Sequence, residues 1–443
     1  MTVDYNIVIL GGGEVARHAA RYAKRWGARV ALVEPPQATI TLEALQQITA
    51  YLLTCPPPPT AAPLERLREA AAFAAWQAEQ TSAATLAAQG IDVVAGPGSF
   101  VDSPRGVRVG DRILRGRRYL VAVASTSSMA NDLHQLPQSQ IAVWGAGAQA
   151  LSLAQALQRL GFTVTLGCSA PRLLPTEDPA IGQLLQAQLE AEGVRTVTSA
   201  TLIPQDPGAG GQIRAEALTV AVDRVISLES FRPVTAALNL PAQVKTRPGV
   251  QVNPRLQTAH PYIYACGYAL GHQNEAAAIA EAEVAVGNAL SFPYRRVNYK
   301  AIPRIISTNP IAVGVGLTPQ QAQRHPGTTV LTQPLSPLPQ WQARHGSGQP
   351  PAGLCRVVLS RRGKLLGLSA VGPGADEWTA PLQWAMRRGI PLSALPPKLS
   401  LGGQSLHSAV VTQLAEQWRD LKQPAWQRDA AELILNWQRD WTR

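Results

Sequence analysis

The sequence predicts an α/β fold, and three observations carry that prediction. Two glycine-rich turns, Gly11-Gly12-Gly13-Glu14-Val15-Ala16 and Gly145-Ala146-Gly147-Ala148-Gln149-Ala150, each follow a short apolar run and open an alanine-rich stretch with helical spacing. After residue 300 the pattern turns to strand-like runs, Cys355 to Leu359 and Leu365 to Val371, around a polar turn. The expected architecture is two strand–turn–helix units followed by an α+β part.

The first unit starts at Asn6 to Leu10, passes through the three glycines, and continues with Ala16, Ala19, Ala20 and Ala23 on one helix face. Arg29 to Val33 reads as a second parallel strand that ends at Glu34, about twenty residues beyond the glycines. In this Rossmann-like arrangement glycines let the backbone approach a pyrophosphate. The helix N-terminus favours the negative charge, and the terminal acid accepts hydrogen bonds from ribose hydroxyls. Gly11, Gly12, Gly13 and Glu34 are therefore the first candidate dinucleotide site.

From Thr41 to Ala88 the pattern is helical, broken by Cys55-Pro56-Pro57-Pro58-Pro59, which no helix can include. Ile91 to Val94 and Gly106 to Val123 read as short strands, with Arg105, Arg108, Arg112, Arg115, Arg117 and Arg118 placed in a hairpin.

The second unit runs from Ile141-Ala142-Val143-Trp144 through Gly145 and Gly147 into a helix, then into a strand at Thr163 to Leu166. Gly167, Cys168 and Ser169 stand where a terminal acid is expected, so no carboxylate serves an NAD ribose there. Ser169 and Arg172 suit either a 2′-phosphate or an ordinary polar turn. The final stretch, 418–443, is helical in pattern and rich in Trp, with its rings expected against this chain, a twin subunit or another protein.

With 443 residues, 46% of them hydrophobic and 5% aromatic, the chain is long enough for two or three cores. No apolar run approaches the ~20 residues of a membrane span, which points to the cytoplasm. Cys55, Cys168, Cys266 and Cys355 show neither metal-ligand nor redox-pair spacing, so neither a metal site nor a catalytic residue is assigned. The formal charge of +11 favours nucleotide phosphates or an acidic protein, and no nucleic-acid-binding module accompanies it.

Several further stretches support a resemblance: Leu160-Gly161, Arg172-Leu173-Leu174-Pro175, Asp223-Arg224-Val225, Ile263-Tyr264-Ala265-Cys266-Gly267, Val315-Gly316-Leu317-Thr318 and Val371-Gly372-Pro373-Gly374-Ala375. Together with the two turns they make nearly the whole chain resemble the class I pyridine nucleotide-disulfide oxidoreductases, the family of glutathione reductase, dihydrolipoamide dehydrogenase and mercuric reductase. The resemblance implies an FAD-type domain from residues 1–130 and 240–297, with Gly267 added to its cofactor site. It implies an NAD(P)-type domain at 131–239, an α+β interface domain at 298–417 through which a homodimer forms, and the tail beyond.

The same resemblance exposes departures where that family does its chemistry. Pro35 to Thr41 runs into a helix without the family's Cys-x-x-x-x-Cys pair, and thiol exchange needs two sulfurs. His407 is followed by Ser408 and Ala409, and Thr412 replaces the orienting carboxylate. Ala148 and Ser152 replace a gating Tyr and a Glu, and Tyr268 replaces the Asp that follows the late glycine. Ala122-Val123-Ala124 and Leu228-Glu229-Ser230 replace Ala-Thr-Gly strand endings. Each lost charged hydrogen bond costs roughly 1.5 to 3 kcal/mol, so two or three losses weaken a nanomolar site to about micromolar. The expectation is a member without dithiol chemistry, serving as a nucleotide- or partner-binding module. The alternative is a flavoenzyme reducing a quinone, metal ion or protein acceptor directly.

Overall fold

The computed structural model describes residues 3–35, 41–54, 63–80, 83–102, 105–126, 140–204, 211–215, 218–229, 231–335, 353–395 and 406–422. The chain divides into two compact units, one of Met1–Pro175 with Leu185–Thr308 and the other of Thr176–Leu184 with Asn309–Arg443. Both are mixed α/β.

The first unit is built on two parallel sheets. In the larger, β1 (Tyr5–Leu10) pairs in parallel with β2 (Val30–Glu34) on one side and with Gly116–Val121 on the other. Asp92–Ala95 and Ile263–Ala265 form its edges. Ile7, Val8, Ile9 and Leu10 are fully buried, as a strand covered on both faces requires. The register Ile7 to Val30 and Leu10 to Val33 sets the C-terminal ends of β1 and β2 side by side.

Helix α1 (Glu14–Arg25) turns Val15, Ala16, Ala19, Ala20 and Ala23 inward. It lies against the helix Glu275–Leu290, whose own buried face carries Ala277, Ala278, Ala282 and Ala285. Small residues on both faces permit that close approach. Two more helices follow β2, namely α2 (Leu42–Thr54) and α3 (Pro63–Gln80).

The second parallel sheet runs, side by side, Arg195–Val197, Thr163–Gly167, Gln140–Trp144 and Arg224–Ser227. The helix Ala148–Arg159 follows its third member, so the strand–turn–helix order recurs.

One sequence expectation is corrected. Arg108 and Arg112 lie on an antiparallel hairpin of Arg105–Val109 and Arg112–Leu114, but Arg117 and Arg118 belong to Gly116–Val121 in the main parallel sheet. The run Tyr119-Leu120-Val121 is buried and pairs with β1, which draws the two arginines into that strand. Arg118 lies over the Tyr262 ring, 5.3 Å from its centroid.

The second unit holds an antiparallel sheet with Ala312–Gly316, Leu365–Val371, Leu354–Leu359 and Thr329–Pro334 side by side. Its core gathers Val313, Val357, Leu368, Trp378, Leu382, Val411, Leu414 and Trp418 from the sheet and the helices Ala375–Trp378, Ala380–Arg388 and Leu406–Lys422. Asp178 is fully buried in this unit and pairs with Arg356 at 2.7 Å. Its other carboxylate oxygen has no hydrogen-bond partner among the described residues.

Of the Trp-rich tail, only 418–422 falls within the described residues, as the end of a helix. The Cys-Pro run at 55–59 lies outside them.

Candidate functional site

The two glycine turns share nearly the same backbone angles at their first and third positions. Gly11 and Gly145 have φ of +148° and +149°, a region that side chains rarely enter. Gly13 and Gly147 cap the following helices in extended conformation, with φ of −84° and −86°. A Cβ at Gly11 would overlap the carbonyl oxygen of Ala122. Both turns aim a helix N-terminus at the ends of parallel strands, the arrangement that seats a phosphate.

What meets those two N-termini differs. At the first, the Glu43 carboxylate accepts from the Glu14 N–H at 3.1 Å and from the Val15 N–H at 3.5 Å. It packs so closely on Gly13 that a Cβ there would overlap it. The close approach that the sequence assigned to a pyrophosphate is used by the chain's own carboxylate.

The placement follows from α2. The Thr41 hydroxyl accepts from the Ala44 N–H at 3.2 Å and starts that helix, and Thr41 bridges to Thr126. Three residues beyond Glu43, Gln46 accepts a hydrogen bond from the Tyr268 hydroxyl at 3.2 Å. Tyr268 is fully buried, and it stands where the resemblance expects a carboxylate.

Burial, opposed in part by the Glu14 and Val15 N–H bonds, pushes the Glu43 carboxyl up to about 7, and Glu275 and Glu14 add to the rise. Glu275, in the first turn of its helix, is raised by burial and by Glu14. Burial first, then Glu43 and Glu275, raises the Tyr268 hydroxyl above its ordinary range. Three carboxylates thus converge at the first seat, where an anionic ligand would need compensating positive charge.

The remaining candidates are also engaged. Glu34 stands at the end of β2, with one oxygen accepting from Arg17 Nε at 2.9 Å. The Gly267 N–H donates to Glu281 at 2.8 Å. Glu281 is wholly buried and also receives Tyr299 at 2.8 Å and His272 at 3.0 Å. His272 Nδ1 accepts from the Asn274 N–H at 3.3 Å, so both its ring nitrogens are bound within the protein. This polar cluster holds the segment after Ile263–Ala265.

Beside the first turn lies a cavity of about 120 Å³, lined by Leu10, Gly11, Gly12, Val33, Val123 and Leu238 among others. Ligand pockets for drug-sized molecules start near ~300 Å³. An FAD diphosphate does not fit the seat as it stands, because Glu43 holds the N–H groups that would bind it.

The second seat is open. Ala148–Arg159 has no side-chain cap, and a Cβ at Gly147 would meet no atom within 4 Å. Glu229 lies near Gly145 but is bound to the Trp144 indole at 3.2 Å. Arg172 donates to the carbonyls of Leu174 and Pro175, so it closes its own turn. Ser152 bonds back to the Ala148 carbonyl at 3.0 Å. Gly145, Gly147 and the first helical N–H groups fit a nucleotide phosphate.

Cys168, Cys266 and Cys355 are free and buried. Burial raises all three thiols, Cys355 to about 12, and the nearby Glu281 adds to the rise at Cys266. Thiolate chemistry is disfavoured at each. Cys55 and the His407 side chain lie outside the described residues, and Thr412 is half-buried. Among the described residues no cluster of His, Cys, Asp or Glu could hold a metal ion, and no helix is long and apolar enough to cross a membrane.

Sequence reasoning missed Glu43 and Glu281. Nothing in their spacing marks them, since Glu43 acts on a turn 29 residues earlier and Glu281 on one 14 residues earlier.

Comparison with known proteins gives a consistent result. The family model described as pyridine nucleotide-disulphide oxidoreductase matches residues 114–289, and the dimerisation-domain model of the same description matches 302–398. Mercuric reductase of Staphylococcus aureus is 28% identical over 440 residues, covering 88% of this chain and 79% of that protein. Dihydrolipoyl dehydrogenase of Bacillus subtilis is 30% identical over 266 residues, 57% of this chain and 55% of the relative. Among solved structures, LpdA from Mycobacterium tuberculosis has a TM-score of 0.79 at 21% identity, covering 93% of this chain and 99% of that one. The HOCl-induced flavoprotein disulfide reductase RclA from Escherichia coli has a TM-score of 0.74 at 20% identity, over 93% and 99%.

Proposed function

The chain belongs to the class I pyridine nucleotide-disulfide oxidoreductase family, and from that premise we propose that it is a member without dithiol chemistry, acting as a nucleotide-binding module through its second glycine turn. The observation that carries this reading is the contrast between the two seats. Gly145 and Gly147 leave a helix N-terminus open to a phosphate, whereas the first N-terminus is filled by Glu43. The missing Cys-x-x-x-x-Cys pair and the buried thiols support the loss of the relay.

A dimerisation domain at 302–398 supports a homodimer, and the charge of +11 supports an acidic protein as partner. Gly147→Asp tests the reading, because an Asp at a helix cap supplies its own carboxylate to the same N–H groups. NADPH titrated into the purified protein should bind to the wild type and lose about tenfold or more in affinity in Gly147→Asp, with stability unchanged. Equal affinity in both proteins contradicts the assignment.

The second reading is an active FAD-dependent NAD(P)H oxidoreductase that reduces its acceptor directly. It is favoured by the long match to a mercuric reductase and by the tight Gly11 turn. NADPH oxidation with added FAD and a quinone, metal ion or protein acceptor would support it.

A further inference from the structure

We propose that Glu43 is a specificity-determining residue of the first glycine turn: its seated carboxylate excludes a nucleotide diphosphate from the N-terminus of α1. Glu43 is bound by two backbone N–H groups of α1, rests on Gly13, and is carried by a helix whose start is tied to Thr126.

Tyr268 belongs to the same device. Its hydroxyl holds Gln46, one helical turn beyond Glu43, and its ring is fully buried. The substitution that removes a carboxylate after Gly267 therefore also anchors the helix that delivers another to α1.

Two further features set the ligand class. Glu14 and Glu275 raise the negative charge around the seat, and Arg21 pairs with Glu14 and not with Glu43. A phosphate arriving there would displace one carboxylate beside two more. The adjoining cavity is bounded by Leu10, Val33, Val123 and Leu238, with the backbone of Gly11 and Gly12 on one wall. None of the residues lining it carries a positive charge that would compensate a phosphate.

The test uses the full chain carrying Gly147→Asp, which occupies the second turn and leaves the first as the nucleotide site under study. Calorimetry with adenosine, ADP and FAD compares this parent with the same chain carrying Glu43→Ala or Glu43→Gln, at about pH 8, where Glu43 is ionised. Adenosine, which carries no phosphate, is the control, and any binding of it should change by no more than about twofold between the parent and the variants. ADP and FAD should bind both variants about tenfold or more tighter than the parent, the change expected for freeing charged-ligand hydrogen bonds.

Glu43→Gln keeps the shape of the side chain and guards against a folding defect in Glu43→Ala. Unchanged ADP and FAD affinities in the folded variants overturn the proposal. So does FAD binding to the parent as tightly as to the variants. Loss of NADPH affinity in Gly147→Asp is read separately, so failure here leaves the reading of the second turn intact.

Discussion

Replacing Glu43 with Gln should shift the stability difference in favour of the variant as pH rises through about 7. The carboxyl is raised from 4.5 to about 7 by burial, with Glu14 on α1 and Glu275 on the neighbouring helix adding to the rise. The buried Tyr268 also faces it, uncharged in this range.

A raised carboxyl binds its proton more tightly in the folded state. Its stabilising contribution is complete below the unfolded value of 4.5 and is lost as pH rises through about 7. The full loss is roughly 3.4 kcal/mol, of which about 2.5 kcal/mol falls between about pH 5 and pH 8.5. Gln carries no titrating charge, so it escapes this loss. Its amide cannot accept from both N–H groups as a carboxylate does, but that cost is independent of pH and cancels in a difference.

Urea unfolding of both proteins at the two pH values should therefore give a stability difference that shifts by about 2.5 kcal/mol in favour of Gln at the higher pH. Parallel pH profiles, within about 0.5 kcal/mol, would refute the burial argument.

Arg356→Ala should destabilise the second unit by about 3 kcal/mol in denaturant unfolding, because it strands the fully buried Asp178 carboxylate. Arg356→Ala together with Asp178→Asn should recover part of that loss, and no recovery would count against the pair. Thiol titration of the native protein with an aromatic disulfide should label at most one of the four cysteines. The buried Cys168, Cys266 and Cys355 should react only on unfolding. Gly11→Ala should cost more than about 1 kcal/mol, since the added Cβ meets the Ala122 carbonyl and φ is +148°. A thermal midpoint equal to the wild type would contradict it.

The frame of this molecule was legible from local pattern. β1, α1 and β2 could be read because Ile7 to Leu10 is apolar on both faces, the alanines repeat at helical spacing, and a glycine is needed where Gly11 meets Ala122. The second unit and the strands Leu354–Leu359 and Leu365–Val371 followed by the same logic.

The contents of the first seat were not legible. The helix that carries Glu43 to α1 is held by the Thr41 bridge to Thr126 and by Tyr268, 222 residues beyond Gln46. Asp178 and Arg356 are likewise 178 residues apart. Arg117 and Arg118 were misplaced for a related reason. Their strand is defined by its partner β1, and the two arginines follow Arg112, Arg115 and a glycine so closely that they read equally well as part of the preceding hairpin.

In the proposed reading a reductase's scaffold persists with neither its dithiol pair nor an open flavin seat. The visible absorbance of the purified protein, recorded after incubation with excess FAD and removal of the unbound cofactor, tests it most directly. No flavin band should be retained, and adding NADPH should leave the spectrum unchanged. A retained band that bleaches with NADPH would contradict it.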